Sequence, residues 1–417
     1  MSTINSVISA GITAADILLP ADKTNIHKWA TIACDQFTSN PDYWKKVEQI
    51  TNGTKSTYNL MFPEFYLDKG NDDDRIKIIN KNMSDYLTDG TFEEYKDSFI
   101  YVERTVSSGI RKGLIAAIDL EQYDYNPGSF SLVRASEATV TSRIPPRVKI
   151  RKNAPIEMPH ILILINDPDR LVIEPLCELC KTKQPVYDFD LMLGGGHIRS
   201  FVINDENEKD VIIQSLISLK EASDQANPLL YAVGDGNHSL ASAKSHYENL
   251  KKAGLANSES PCRYALVEIE NIFDSAIVFE PIHRVLFNVN AIDFITFCKN
   301  ECGSFQADDC FEIPYVAGLV RDTLKLPKSL HTLSVGALQL LMDKYIALHK
   351  DVDIDYIHEA ETVSELGAKD GNMGFFLPSM DKYDFFPTIV KNGSLPRKTF
   401  SMGESTEKRY YIECRKI

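Results

Sequence analysis

The chain has 417 residues, 43% of them hydrophobic and 25% charged, with a net charge of −14. This is the composition of a globular protein with apolar material for a substantial core, in two domains or one large one, and it excludes a disordered or fibrous chain. The acidic balance argues against broad binding to nucleic acid or anionic membranes, so an anionic ligand must be met by a local basic pocket.

Apolar runs such as Ile161 to Ile165 fall far short of the ~20 residues that span a bilayer. The N-terminal MSTINSVISAGITAADILLP lacks a basic start followed by an apolar block, so no signal peptide is expected. Cys177 and Cys180 form one CxxC, and Cys298 and Cys302 are one helical turn apart. Metal or redox chemistry is one reading. Buried thiols on helix faces are preferred, because no second pair has zinc-ribbon spacing. A reduced, cytoplasmic protein is expected.

In chain order, CDQFTSNPDYW (34–44) offers Asp35, Gln36, Thr38 and Ser39, either to hold a small polar substrate or to cap a helix beginning near Pro41. NDDD (71–74) reads as a solvated turn. SFIYVER (98–104), LIAAID (114–119) and HILILIND (160–167) predict strands. DPDRLVIEPLCELCKTK predicts a helix opening at Asp167, with Pro168 in its first turn. VYDFDLML and HIRSFVI predict strands around Gly194-Gly195-Gly196. Asp205 caps a helix with Ile212, Leu216 and Leu219 on one face. PLLYAVGDGNHS predicts a strand handing over to a helix with Leu240, Ala243, Tyr247 and Leu250 on one stripe, ended by Gly254. ANSESP (256–261) is the predicted linker, giving domains 1–255 and 256–417. RYALVEIEN, SAIVFEPIHRVLF, MGFFLPSM and KRYYIECRKI predict strands; 291–302 and 335–350 predict helices. Strands and helices mix without strict alternation, so the expected class is mixed α/β (α+β).

The sharpest chemical signal is Asp235-Gly236-Asn237-His238-Ser239. A helix start leaves backbone N–H groups unpaired and carries positive partial charge, which suits an anion. Gly236 lets the backbone approach a phosphate closely. Asp235 makes sense as a ligand for magnesium riding on that anion, or as a base near it. Asn237 and His238 can bind or protonate phosphoryl oxygens. The other reading is an ordinary Asp-Gly turn capped by Asn237 or Ser239.

Arg134, Arg143, Arg147, Lys149, Arg151 and Lys152 concentrate positive charge around Pro145-Pro146. Several arginines near one point suit phosphate, whereas the final KIRK reads as a solvated face. A third stretch places Arg397, Lys398, Thr399 and Ser401 between Pro396 and Gly403. This composition suits a phosphate cradle without Walker A spacing. LGGGHI (193–198) is a glycine-rich turn; PIHR (281–284) and DYIH (355–358) each set a histidine beside polar partners. No nucleophile elbow, HExxH metal motif or dinucleotide fingerprint is present in the sequence, so no nicotinamide cofactor is expected.

VGDGNHSLASA resembles the D-G-x-H-R-x-x-A signature of the ParB/sulfiredoxin-like superfamily, in which a strand-to-helix turn binds phosphate. ACDQFTSNPDYW, SRIPPRVKIRKNAPIEMPHILILINDP, GGGHIRSF, DIDYIHEAE and LPRKTFSMGE look like blocks of one branch, the pyrophosphate-dependent serine kinases, from about residue 30 to the end. The resemblance implies phosphoryl transfer from pyrophosphate to free L-serine, giving O-phosphoserine and phosphate, with magnesium, in support of cysteine or related metabolism. It implies a ParB/sulfiredoxin-like core within 1–255 and a C-terminal lobe returning a basic loop to the active-site cleft. Two departures stand out. The superfamily's arginine after the histidine is Ser239 here, so Arg134, Arg143, Arg147, Arg284 or Arg397 must take its place. The sulfiredoxin cysteine is absent from the turn.

On this reading Gly236, Asn237, His238 and Ser239, with Arg143, Arg147 and the Arg397-Lys398-Thr399-Ser401 loop, surround pyrophosphate. Asp235 holds magnesium or takes the serine proton, and Asp35 is the rival base. Thr38, Arg134, Glu137 and His358 are the candidate serine contacts. Two alternatives are a nucleotide-dependent serine kinase of the same superfamily and a nucleotide-gated DNA-binding module. The acidic charge and the lack of a helix-turn-helix argue against the second.

Overall fold

The computed structural model describes residues 9–67, 69–306 and 308–417. The N-terminal part of the leader reading, residues 1–8, lies outside them. The chain divides into two units, Met1–Val278 with Gly403–Ile417, and Phe279–Met402.

The first unit is built on an 11-stranded mixed sheet. Its axis is the hairpin of Phe92–Val106 and Gly109–Asp119, both longer than their apolar cores in the sequence. Beyond Gly109–Asp119 the order runs through Tyr264–Asn271, Leu162–Ile165, Tyr231–Asp235, Val133–Arg134 and Tyr123–Asp124. On the other side lie His197–Ile203 and Tyr187–Asp190. Alternation splits each strand between two cores. Phe99, Tyr101, Leu114, Ala116 and Ile118 face one core, under the stripe Leu240, Ala243 and Tyr247 of the helix Asn237–Lys252. Ile100, Val102, Ile115 and Ala117 face the other, with Trp29, Trp44 and Tyr410.

The predicted linker is not a boundary. Tyr264–Asn271, which follows it, pairs with both Gly109–Asp119 and Leu162–Ile165 in the middle of the sheet. Arg263 binds the buried Asp119 carboxylate through Nε and Nη2 at 2.9 and 2.6 Å. Other expectations are corrected too. Asn71 is an N-cap, and Asp72, Asp73 and Asp74 form the first turn of the helix Asp72–Thr88, where negative charge meets the positive end of the helix dipole. Asp167 does not open a helix: its carboxylate accepts from Leu171 N and Val172 N, and the helix is only Pro175–Cys180. The glycine-rich turn is structural. Gly196 has φ +80°, and a Cβ there would sit 2.1 Å from the Thr105 carbonyl oxygen.

The C-terminal segment threads through this unit. Tyr410–Tyr411 pairs with Thr31–Ile32, Cys414 exchanges backbone bonds with Leu18, and Arg415–Lys416 pairs with Ile156–Glu157. Arg104, 2% exposed, fastens its start. Nε and Nη2 donate to Gly195 O, Nη2 also to Thr406 O, and Nη1 to Glu407 O and Lys408 O, at 2.8–3.1 Å.

The second unit carries a five-stranded antiparallel sheet in the order Val320–Pro327, Cys310–Ala317, Met373–Phe375, His283–Phe287, Asp353–Ile357. The helices Ala291–Cys302, Ser334–Leu348, Ala360–Gly367 and Lys382–Asn392 accompany it. The basic loop 397–401 belongs to this unit, and the segment that belongs to the first is Gly403–Ile417. Among the described residues no helix is long and apolar enough to cross a membrane. The eight cysteines are free thiols, and no trio of His, Cys, Asp or Glu among the described residues is placed to hold a metal.

Arg104→Met removes all five donors from buried carbonyls, so unfolding free energy is expected to fall by about 3 kcal/mol or more. Urea denaturation checks this; a midpoint equal to that of the native protein contradicts the clamp.

Candidate functional site

The strand Tyr231–Asp235 lies antiparallel to Leu162–Ile165, with Asp235 opposite Leu162. The residues just before one strand therefore flank those just after the other. Gly236 follows with φ +86°, a left-handed conformation that glycine adopts without strain. A Cβ there would lie 3.1 Å from Ile161 Cα, so the close approach also requires glycine.

Gly236 is the N-cap of Asn237–Lys252, and among the described residues no side chain caps this helix. The capped-turn reading is thereby overturned: both candidate caps are used elsewhere. Asn237 exchanges bonds with Ser136, accepting from its N at 3.2 Å and donating to its Oγ at 3.3 Å. Ser239 Oγ lies 3.2 Å from His160 Nε2. Among the described residues the amides of Asn237 and His238 find no acceptor.

His238 Nε2 accepts from Val140 N at 3.2 Å. Its pKa is pushed down to about 4 by burial first, then by the positive charge of Arg147 and Arg143, with Asp35 pulling the other way. The ring is therefore neutral near pH 7. With Nε2 accepting, Nδ1 carries the proton and is a donor.

Arg147 stands on a helix hidden by Pro145-Pro146, and Arg143 is its N-cap residue. Thr141–Arg143 is a 3-10 turn leading into the helix Ile144–Arg151, and the prolines occupy its first turn, where a missing N–H costs nothing. This helix packs against Asn237–Lys252. Arg147 donates to Arg143 O at 2.9 Å and pairs with Glu64. Arg143 is exposed, and its guanidinium has no partner among the described residues. Lys149 pairs with Asp73 and Arg151 with Glu157, so these two charges are neutralised locally.

Asp35 belongs to the same cluster. Burial raises its pKa, but His160, the hydrogen bond from Gln36 and Arg147 outweigh it, and the carboxyl is held below its ordinary range. Gln36 Nε2 donates to Asp35 Oδ1 at 3.0 Å, and His160 Nε2 lies 3.8 Å from Oδ2. Tyr411 OH fixes His160 from behind, 2.8 Å from Nδ1, and accepts from Cys34 N at 3.3 Å. A cavity of about 150 Å³ adjoins these groups, with Met61, Phe62, Met83, Met158, His160 and Ser239 in its lining.

The remaining predicted residues have the following surroundings. Arg134 is buried and spends its donors on Ser131 O, Pro228 O and Asn227 Oδ1, so it is a structural clip. Glu137 is half-buried in the loop that carries Ser136, beside the turn. Thr38 is exposed ahead of the helix Pro41–Thr51, which Asn40 caps. Arg397, Lys398, Thr399, Ser401 and His358 lie in the second unit. There Arg397 pairs with Asp343 at 2.7 Å, and the Thr399 hydroxyl donates to Pro396 O. Arg284 is fully buried and donates to the carbonyls of Arg397 and Lys398, so it shapes that loop. His358 is exposed.

Two groups escaped the sequence reading. His160 closes a predicted block, and only the pairing of its strand with Tyr231–Asp235 brings it to Ser239. Lys408 opens the predicted strand KRYYIECRKI and was given no chemical role, yet its Nζ is 3.4 Å from Asp235 Oδ2.

A family described as "Protein of unknown function (DUF1015)" matches residues 16–388. Among solved structures, a free serine kinase in complex with AMP is 12% identical with a TM-score of 0.38, over 72% of this chain and 90% of that one. A conserved hypothetical protein from Pyrococcus furiosus is 12% identical with a TM-score of 0.36, over 72% and 94%. SbnI from Staphylococcus aureus, truncated at its C-terminus, is 11% identical with a TM-score of 0.35, over 69% and 82%. These likenesses are too slight to carry an activity or a substrate. No curated protein matches the chain.

The depressed pKa of His238 has a consequence for stability. The unfolded chain, with a histidine pKa of about 6.5, takes up the proton first as pH falls. The contribution of neutral His238 is complete above about pH 6.5 and is lost as pH falls towards about 4. An NMR titration of its imidazole is expected to show a value near 4, and Arg147→Gln is expected to raise it. An unchanged value in the variant contradicts the placement of that guanidinium.

Proposed function

The chain belongs to the DUF1015 family, and from that premise we propose that it is a kinase transferring a phosphoryl group from inorganic pyrophosphate to free L-serine. The observation that carries this reading is the uncapped helix start, where the amides of Asn237 and His238 lack acceptors among the described residues and the charge of Arg147 and Arg143 bears on His238. Pyrophosphate has no base or ribose to grip. It calls for cations and N–H donors on several sides of a small site. The sequence blocks that resemble pyrophosphate-dependent serine kinases point the same way.

Phosphoryl transfer depends mainly on positioning and charge neutralisation. The helix amides, Nδ1–H of neutral His238 and the arginines hold the diphosphate. The cavity beside His160 holds the acceptor; room of that size suits a ligand of about benzene's bulk. The serine hydroxyl oxygen attacks one phosphorus and a new O–P bond forms. The bond from that phosphorus to the bridging oxygen breaks, and its electron pair leaves with phosphate. The hydroxyl proton passes to the ionised Asp35, which Gln36 and His160 orient.

Mg2+ typically takes one or two carboxylates and completes its shell with phosphate oxygens and water. The single carboxylate of Asp235 fits that demand. Bound there, the ion would neutralise charge on the diphosphate.

The purified protein with Mg2+ and serine is expected to yield phosphoserine with pyrophosphate and not with ADP or ATP. Asp235→Asn is expected to abolish turnover, and Asp35→Asn to lower kcat by about 10²-fold or more, both with an unchanged circular dichroism spectrum. Turnover with a nucleotide alone overturns the donor, and near-native turnover in both variants overturns the site.

A further inference from the structure

We propose that Lys408 is the cation that grips the diphosphate at the Asp235–Gly236 turn, in place of the arginine that Ser239 replaces. The inference rests on the function proposed above and deepens it.

Ser239 brings no charge, and its hydroxyl is engaged with His160. Arg134, one of the candidates for the missing cation, spends its donors on the carbonyls of Ser131 and Pro228. Lys408 comes from the far end of the chain and reaches the turn from the C-terminal segment. Its ammonium is 3.4 Å from Asp235 Oδ2, and its side chain is only 15% exposed. An ammonium carries three donors, and lysines are normally left in water. Among the described residues this one has the Asp235 ion pair and no closer hydrogen bond. The group is thus largely withdrawn from solvent beside the open helix start with donors to spare.

The backbone beneath it is fixed from several sides. Arg104 binds the carbonyls of Thr406, Glu407 and Lys408. The Glu407 carboxylate accepts from Ser107 N at 2.8 Å and Glu404 N at 3.1 Å. Holding Lys408 in advance lowers the entropy cost of closing a flexible side chain on a ligand. Arg104 is therefore a positioning residue for Lys408. Asp235 balances the ammonium in the turn, and a diphosphate entering there meets a cation already in place.

The test is titration calorimetry of the full chain with pyrophosphate, without serine, beside steady-state kinetics. Lys408→Met is expected to weaken pyrophosphate binding and raise its KM by about 10- to 100-fold, with the KM for serine little changed. Lys408→Arg is expected to restore part of the affinity. Lys416→Met, on an exposed lysine of the same segment paired with Glu94, is expected to change neither. If Lys408→Met fails to fold, Lys408→Gln takes its place. Native binding with unchanged affinity in the Lys408 variant overturns this inference and leaves the proposed function standing. No pyrophosphate binding by the native protein overturns both.

Discussion

The five donors of Arg104 meet four backbone carbonyls: one in the glycine-rich turn and three in a row at the start of the C-terminal segment. A guanidinium buried this deeply is tolerable only when its donors are satisfied, and here the protein backbone satisfies them all. Much of the site depends on that attachment. It sets the path by which Tyr410 and Tyr411 pair with the strand leading to Asp35, and by which Arg415 and Lys416 pair with the strand leading to His160. The last residues of the chain thereby tie together two loops that the sequence holds far apart. Tyr411 then touches both, through Cys34 N and His160 Nδ1.

The electrostatics follow from the same construction. The chain is acidic overall, yet His238 is held neutral partly by two arginines, and Asp35 is held ionised against the cost of burial. Guanidinium groups beside an open helix start suit a small, highly charged anion, while the acidic balance of the chain disfavours polyanions. Neutral His238 offers a proton donor without adding a charge, and ionised Asp35 offers an acceptor. The two environments push the groups toward different tasks within one cluster.

The parts of this arrangement carried by local pattern were legible in the sequence. The strand into Asp235 and the helix stripe Leu240, Ala243 and Tyr247 follow from apolar periodicity, and Asp205 caps its helix through Asn207 N and Glu208 N. Gly236 and the turn around it follow from the conformational demands of a strand-to-helix corner. What was not legible depends on pairing between distant segments or on residues with two local meanings. Pro145-Pro146 signals a stiff, extended break unless it opens a helix, and here it opens the helix that carries Arg147. Three aspartates in a row look like a solvated turn, and here they begin a helix. ANSESP has the composition of a linker, but the following strand is central to the sheet. His160 and Lys408 gain meaning only once Leu162–Ile165 lies against Tyr231–Asp235 and the C-terminal segment is in place. The basic loop at 397–401 had an equally strong composition, and in its own unit it is organised by Arg284.

The central claim is that the start of the helix Asn237–Lys252 is an anion site for a diphosphate. A crystal structure of the full chain grown with pyrophosphate tests it most directly. The account predicts two linked phosphate densities at the amides of Asn237 and His238, with Arg147 in contact. A well-ordered turn with no density there at saturating pyrophosphate, or a diphosphate bound elsewhere on the chain, would contradict it.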